Sequence, residues 1–219
     1  MYYGIYQNFN FYDNPKRIID KVKSYGFIEE QEKNYPGKRT KPLNEIDLDL
    51  FNYSCLKVLK LIYGQTDNIS FFARNSFQLI SYDDVKANNN EGWIHLDKTS
   101  MLTVVIYLTP NVKTSGTSIY KPIDESIPIL NPNVKYDYYK THKTNEPEYQ
   151  KLLKENNSNF ELVSKFNSTF NSMIAFDGCH YHQANFDLNP GEERLTQVIF
   201  YDKIYAPHFP VIEMSRTRL

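Results

Sequence analysis

The sequence has only two cysteines, Cys55 and Cys179, far apart and in neither a CxxC nor a zinc-finger spacing. That removes a disulfide scaffold and a thiolate metal site, and it predicts a reduced, cytoplasmic protein. The opening MYYGIYQNFNFYDN lacks the basic and apolar regions of a secretory signal. No apolar run is long: the longest, around Met101 to Leu108, falls far short of the roughly 20 residues that a membrane helix needs. Neither sign of charge prevails, with 25 Lys and Arg against 26 Asp and Glu, so the balance disfavours nucleic acid and an anionic membrane as partners. Glycine is scarce, at 8 residues, and the chain carries no internal repeat or low-complexity tract.

What is present suits one sizeable domain, because 219 residues can bury a core without disulfides. Tyrosine and phenylalanine are abundant. The many asparagines and lysines are read as compositional bias without functional weight.

Two helices are predicted first. In DNPKRIIDKVKSYGF, Asn14 can cap, Pro15 suits the first helical position, Ile18, Ile19 and Val22 share a face, and Gly26 ends the run. A second helix is expected from about Ile46 to Tyr63, where Leu48, Phe51, Cys55, Leu59 and Ile62 recur at helical spacing before Gly64. Between them, YPGKRT is a turn. From about Ile69 the period shortens to two, and ISFFA, SFQLI, WIHLD, MLTVVIYL, TSIYK, FELVSKF, SMIAF and LTQVIFY read as strands. The expectation is a mostly β protein: a sandwich or barrel of antiparallel strands over an N-terminal helical layer. The layer would span 1–67 and the β core 68–219, with a Tyr-rich insertion at about 122–159 and a short helix near Pro147 to Lys154.

One short stretch carries chemistry. In WIHLD, residues two apart on a strand face the same side, so His95 and Asp97 project together while Leu96 packs away. An imidazole and a carboxylate so placed, with one more imidazole from a distant strand, make the facial triad that leaves positions of a ferrous ion open. An HxD tripeptide alone is common by chance. The second half of the chain adds to it: MIAFDGCHYHQANFDLNPGEERLTQVIFY offers a strand, a turn at Asp177 and Gly178, the histidines His180 and His182, and then Arg194 opening another strand. A strand-borne arginine can fork onto one carboxylate of a dianionic co-substrate, and Thr196 would face the same side with a hydroxyl.

The ordered set His95, Asp97, a distal histidine and Arg194 resembles the Fe(II)- and 2-oxoglutarate-dependent oxygenases, in the prolyl-hydroxylase-like branch with a double-stranded β-helix (jelly roll, cupin-like) core. YLTPN and SGTSIY are similar to that branch's strand, loop and glycine-containing strand, and FDGCHYH to its apolar-x-Gly-x-x-x-His signature. FYDNP and YPGKRT resemble small bacterial and phage members. The likeness covers roughly Asn68 to Ile204. It implies a dioxygenase acting on a peptide, amino acid or small metabolite, with Fe(II) held by His95, Asp97 and His182. It also implies 2-oxoglutarate paired with Arg194 and Thr196, dioxygen as oxidant, and room for ascorbate as a reductant. An acid at position 97 disfavours the halogenase variant. His182 comes four after the glycine, as the signature requires, which leaves His180 either behind the ligands or in a solvated turn.

Other residues stay open between two roles. Tyr107 either hydrogen-bonds the co-substrate or packs with its hydroxyl at the rim; Trp93 either walls the pocket or is core. Asp177 and Cys179 sit beside the ligand turn, Lys38 and Arg39 could form a substrate lip, and the insertion could cover a substrate. His142 and His208 read as structural or surface. The rival reading is a non-catalytic β-sandwich or cupin-like binding module with incidental histidines; a metal-dependent isomerase or dioxygenase without a keto acid is disfavoured by the Arg194 and Thr196 pair.

Overall fold

The computed structural model describes residues 4–29, 35–85, 92–110, 115–124, 126, 137–138 and 143–211. Two antiparallel sheets face each other. The larger has the order β1 (Tyr6–Asn8), β7 (Met173–Asp177), β4 (Leu102–Tyr107), β9 (Glu193–Tyr205), β3 (Ser70–Ser81), β2 (Lys38–Arg39); the smaller is β6 (Phe160–Asn167), β5 (Gly116–Pro122), β8 (Tyr181–Asn185). Helices α1 (Pro15–Tyr25), α2 (Leu43–Ile46) and α3 (Leu48–Tyr63) lie in the N-terminal part of the chain. The four-residue α4 (Tyr82–Val85) follows β3, and α5 (Pro147–Ser158) belongs to the predicted insertion. This is the mostly β, double-stranded β-helix architecture that the strand pattern and the resemblance imply.

The period-two pattern of β4 explains the layering. Leu102, Val104 and Ile106 join Val58, Leu59 and Ile62 of α3 in the main core, while Val105 and Tyr107 turn the other way to meet Ile119, Phe176 and Val198 between the sheets. Both faces of β4 are therefore apolar, and every residue of the strand is buried. Strand β9 continues the division: Leu195, Ile199 and Tyr201 pack toward the helices, and Arg194, Thr196 and Val198 alternate with them.

Several boundaries differ from the sequence reading. The second helix breaks at Asp47, whose side chain caps α3 by accepting from the Leu50 amide at 3.1 Å and also pairs with Lys21 and Tyr25. ISFFA and SFQLI are one continuous strand, β3. The N-terminal 67 residues supply strands as well as helices, since β1 and β2 form the two edges of the large sheet. WIHLD is not a regular strand; only His95 is bridged. Strand β8 occupies YHQAN, a stretch absent from the predicted strands. Tyr136, Tyr139 and His142 of the insertion lie outside the described residues. Among the described residues, no helix is long and apolar enough to cross a membrane.

Both cysteines are free; Cys55, on the core-facing side of α3, is buried and Cys179 is exposed. Burial pushes the Cys55 thiol up to about 11, although Asn75 and Ser54 hydrogen-bond it. At pH 8 a thiol reagent should accordingly titrate one cysteine in the folded protein and both after denaturation. Two rapidly reacting thiols in the folded state would contradict the packing of α3.

Candidate metal centre

The site is built on a single backbone bridge. His95 and His182 exchange hydrogen bonds, His95 N–H to His182 C=O at 3.1 Å and His182 N–H to His95 C=O at 2.9 Å. Residues directly opposite in an antiparallel pair put their side chains on one face, so the two rings come together, with centroids 4.4 Å apart. Each ring is also fixed from behind by the same local device. Nδ1 of His95 lies 2.7 Å from the Trp93 carbonyl, and Nδ1 of His182 lies 2.9 Å from the His180 carbonyl. A carbonyl only accepts, so Nδ1 of each ring carries a hydrogen, and Nε2 is the ring atom turned toward Asp97.

Asp97 completes the group from just beyond the bridge. Its Oδ2 is 3.3 Å from Nε2 of His182 and its Oδ1 is 3.9 Å from Nε2 of His95. One ligand atom from each of the three residues lies within 4.8 Å of the others. Bonds of about 2.1 Å to one ion put neighbouring ligand atoms roughly 3 Å apart, so the Asp97 oxygens at 3.3 and 3.9 Å are near that spacing and the three donors would draw together to hold a divalent cation. The Thr103 hydroxyl donates to Oδ2 at 2.7 Å and turns the carboxylate. Burial alone would raise the Asp97 carboxyl. The facing His182, then His95 and the Thr103 bond, outweigh it and hold the carboxyl well below the usual range. The carboxylate is thus kept ionised, as a ligand must be.

Asp97 is positioned through its backbone, since its N–H donates to the Gly178 carbonyl at 2.9 Å and its own carbonyl accepts from Ser100 at 2.8 Å. Gly178 is required by close approach: a Cβ there would stand 1.9 Å from the Ser100 carbonyl oxygen and 2.7 Å from that of Asp97. Any side chain at 178 pushes the Asp97 turn away from His182.

Between the sheets, a second group of polar residues follows the same inward face. Tyr107 OH and Thr117 Oγ1 are 2.7 Å apart, and Thr196 pairs with Tyr107 across β4 and β9. Arg194 is 3 % exposed, and its guanidinium carbon lies 5.5 Å from the Tyr107 ring centroid and 5.9 Å from that of Phe186. One terminal nitrogen donates to the Gly116 carbonyl at 3.4 Å, but Nε and Thr196 Oγ1 find no hydrogen-bond partner among the described residues. Burial lowers the Arg194 pKa, with Tyr107 opposing the shift, yet a guanidinium starts so high that it stays charged. Burial also raises the Tyr107 phenol, partly offset by Arg194 and Thr117. A buried cation with no carboxylate partner costs on the order of several kcal/mol, and among the described residues Arg194 has none and stands beside a hydroxyl without a hydrogen-bond partner. Residues 107, 117, 194 and 196 therefore form a polar group whose charge suits an anion.

Comparison with known proteins places this architecture. Residues 9–201 match a family described as "Family of unknown function (DUF6445)". The chain belongs to that family. No curated protein matches the sequence. Among solved structures, this DUF6445 chain is similar to HygX from Streptomyces hygroscopicus with nickel and 2-oxoglutarate bound, at 9 % identity and a TM-score of 0.55 over 90 % of this chain and 82 % of that one. It is also similar to SnoN, the non-heme alpha-ketoglutarate-dependent epimerase from nogalamycin biosynthesis, at 9 % identity and 0.53 over 90 % and 77 %. A third is the Trichoplax adhaerens prolyl hydroxylase in complex with a hypoxia inducible factor peptide fragment, at 12 % identity and 0.50 over 90 % and 83 %. At such identities the likeness is one of fold, the jelly roll of 2-oxoglutarate oxygenases.

Within this DUF6445 chain, the structure brings His95, Asp97 and His182 together, and gathers Tyr107, Arg194 and Thr196. His180 is half-buried and contributes its carbonyl behind His182. Trp93 is core: it packs on Tyr149 and Leu153 of α5, and only its carbonyl serves His95. Asp177 turns the chain, accepting from the Cys179 amide at 2.8 Å. Lys38 is exposed, Arg39 lies 3.7 Å over the Tyr35 ring, and the His208 ring stands edge-on to Tyr63. Sequence reasoning overlooked Thr103 and Thr117, although both share the parity of the inward residues on their strands. Replacing Gly178 with Ala should weaken divalent-metal binding about tenfold or more while far-UV circular dichroism stays unchanged. Wild-type affinity in that variant would refute the close-approach argument.

Proposed function

We propose that this protein is an Fe(II)- and 2-oxoglutarate-dependent dioxygenase of the prolyl-hydroxylase-like branch, and that the whole chain, 1–219, is one oxygenase domain. The observation that carries the reading is the buried guanidinium of Arg194, which has no carboxylate partner among the described residues and stands beside a Thr196 hydroxyl likewise unpartnered among them, in the same jelly roll as three convergent metal ligands. A binding module with incidental histidines would have no use for a buried cation there.

His95, Asp97 and His182 would hold the iron on one side and leave the other open. Arg194 pairs with the far carboxylate of 2-oxoglutarate, Thr196 donates a hydroxyl to it, and Tyr107, oriented by Thr117, walls the same end. Val105, Ile119, Phe176 and Val198 line the space between the sheets and keep water out. Ferrous iron and 2-oxoglutarate, when bound, supply the chemistry: dioxygen is consumed, the keto acid becomes succinate and CO2, and one oxygen enters a substrate C–H bond. The protein contributes ligand geometry, orientation and exclusion of solvent. The substrate class that agrees with the likenesses is a peptide, amino acid or small metabolite, in a reduced cytoplasmic setting.

Two substitutions separate the parts. Asp97→Ala should abolish tight iron binding and succinate release. Arg194→Ala should retain the metal and raise the 2-oxoglutarate KM roughly 100-fold, since it removes one partner of a buried charge pair. Anaerobic addition of Fe(II) and 2-oxoglutarate to the wild type should give a weak visible charge-transfer band. Its absence, or an Arg194→Ala variant that uses 2-oxoglutarate as well as the wild type, would overturn the reading. A screen of peptides, amino acids and metabolites for succinate release and a product heavier by one oxygen then identifies the substrate.

A further inference from the structure

The segment that delivers His95 is nearly unsupported by regular structure: from Gly92 to Ser100 only His95 makes a β-bridge. In an extended chain, successive residues direct their N–H and C=O groups to opposite edges. Those of His95 go to His182, so those of Ile94 face the other way, where no strand among the described residues pairs with them. They are nevertheless satisfied. The Ile94 N–H donates to Oδ1 of Asn157 at 3.0 Å, and the Ile94 carbonyl accepts from Nδ2 of Asn156 at 3.1 Å. The Gly92 carbonyl accepts from Nδ2 of Asn157 at 3.0 Å and from Nε2 of Gln183 at 2.8 Å. The two asparagines brace each other, with Asn156 Nδ2 3.0 Å from Asn157 Oδ1.

We propose that Asn156 and Asn157 are positioning residues of the metal centre, standing in for a missing strand on the outer edge of Gly92–Ile94 and so keeping His95 in register with His182. The inference rests on the metal-site reading above. A side-chain amide offers the same donors and acceptor as a peptide group, which is what an imitation of a strand needs. The placement of the pair agrees: Tyr149, Leu153 and Asn156 form one buried face of α5, and the first two pack on Trp93, directly ahead of Ile94. Asparagine is a poor helix former, so two in the final turn of α5 disfavour the helix and are explained by what they bond. Under this inference the insertion helix acts from behind the metal centre, as a back-plate for one ligand.

The test uses the metal-free full-length protein and Co(II). Wild type should bind Co(II) and show the visible bands of a coordinated ion. Asn157→Ala should weaken Co(II) binding about tenfold or more. Asn157→Asp, which still accepts from Ile94 N–H but no longer donates to Gly92, should recover part of that loss. Leu153→Ala, which loosens the same helix without touching the amides, should stay within about twofold of wild type. Without metal, the Ile94 amide should exchange hydrogen faster in Asn157→Ala than in the wild type or in Asn157→Asp, which keeps the acceptor, a readout that serves also for a variant too unstable for titration. A wild type that binds while Asn157→Ala binds equally well, or a Leu153→Ala loss as large as that of Asn157→Ala, overturns this inference alone. A wild type that binds no Co(II) overturns the metal reading and this inference together.

Discussion

Two backbone hydrogen bonds between His95 and His182 are the constraint on which the rest of the site depends. They join an irregular segment that precedes β4 to the start of β8 in the smaller sheet, residues far apart in sequence. Because directly opposed residues share a face, the bridge alone decides that the two imidazoles meet. The i−2 carbonyls then set which nitrogen of each ring is free, and the Gly178 contact sets where Asp97 follows. Shifting the bridge by one residue would turn a ring outward and dissolve the constellation.

The six-stranded sheet serves two environments at once. Its helix-facing side is an apolar core with a buried polar knot, in which Gln197 bonds Ser54 and Asn75 at 3.1 and 3.0 Å and also Tyr12. Its other side carries the polar pocket. The period of two in β4 and β9 makes this possible, since alternate residues answer to different neighbours. The helix side supplies most of the apolar packing, which offsets the cost of burying Arg194 on the other.

Much of this was legible in the residues. The cap at Asn14, the two faces of MLTVVIYL, and the shared parity of Arg194 and Thr196 follow from local periodicities that tertiary structure preserved. The HxD reading paired two residues that do lie together, though by a different route: WIHLD is not a strand, and Asp97 lies in a turn where the Gly178 carbonyl, and not a ladder, aims it. Strand β8 was hidden because YHQAN is polar on both faces, and β1 and β2 because edges of two or three residues have no period to detect. The asparagines were the largest loss. Read as compositional bias, Asn156 and Asn157 turn out to hold the chain that presents His95, and Asn75 sits in the core network; partners far away in sequence give side-chain amides their meaning, and no local pattern announces them.

The measurement that addresses the central claim most directly is anomalous diffraction at the iron edge from crystals loaded with Fe(II) without oxygen. One strong peak is predicted, within about 2.3 Å of Nε2 of His95, Nε2 of His182 and a carboxylate oxygen of Asp97. A crystal that shows iron elsewhere, or none beside an intact His95–His182 bridge, would contradict the account.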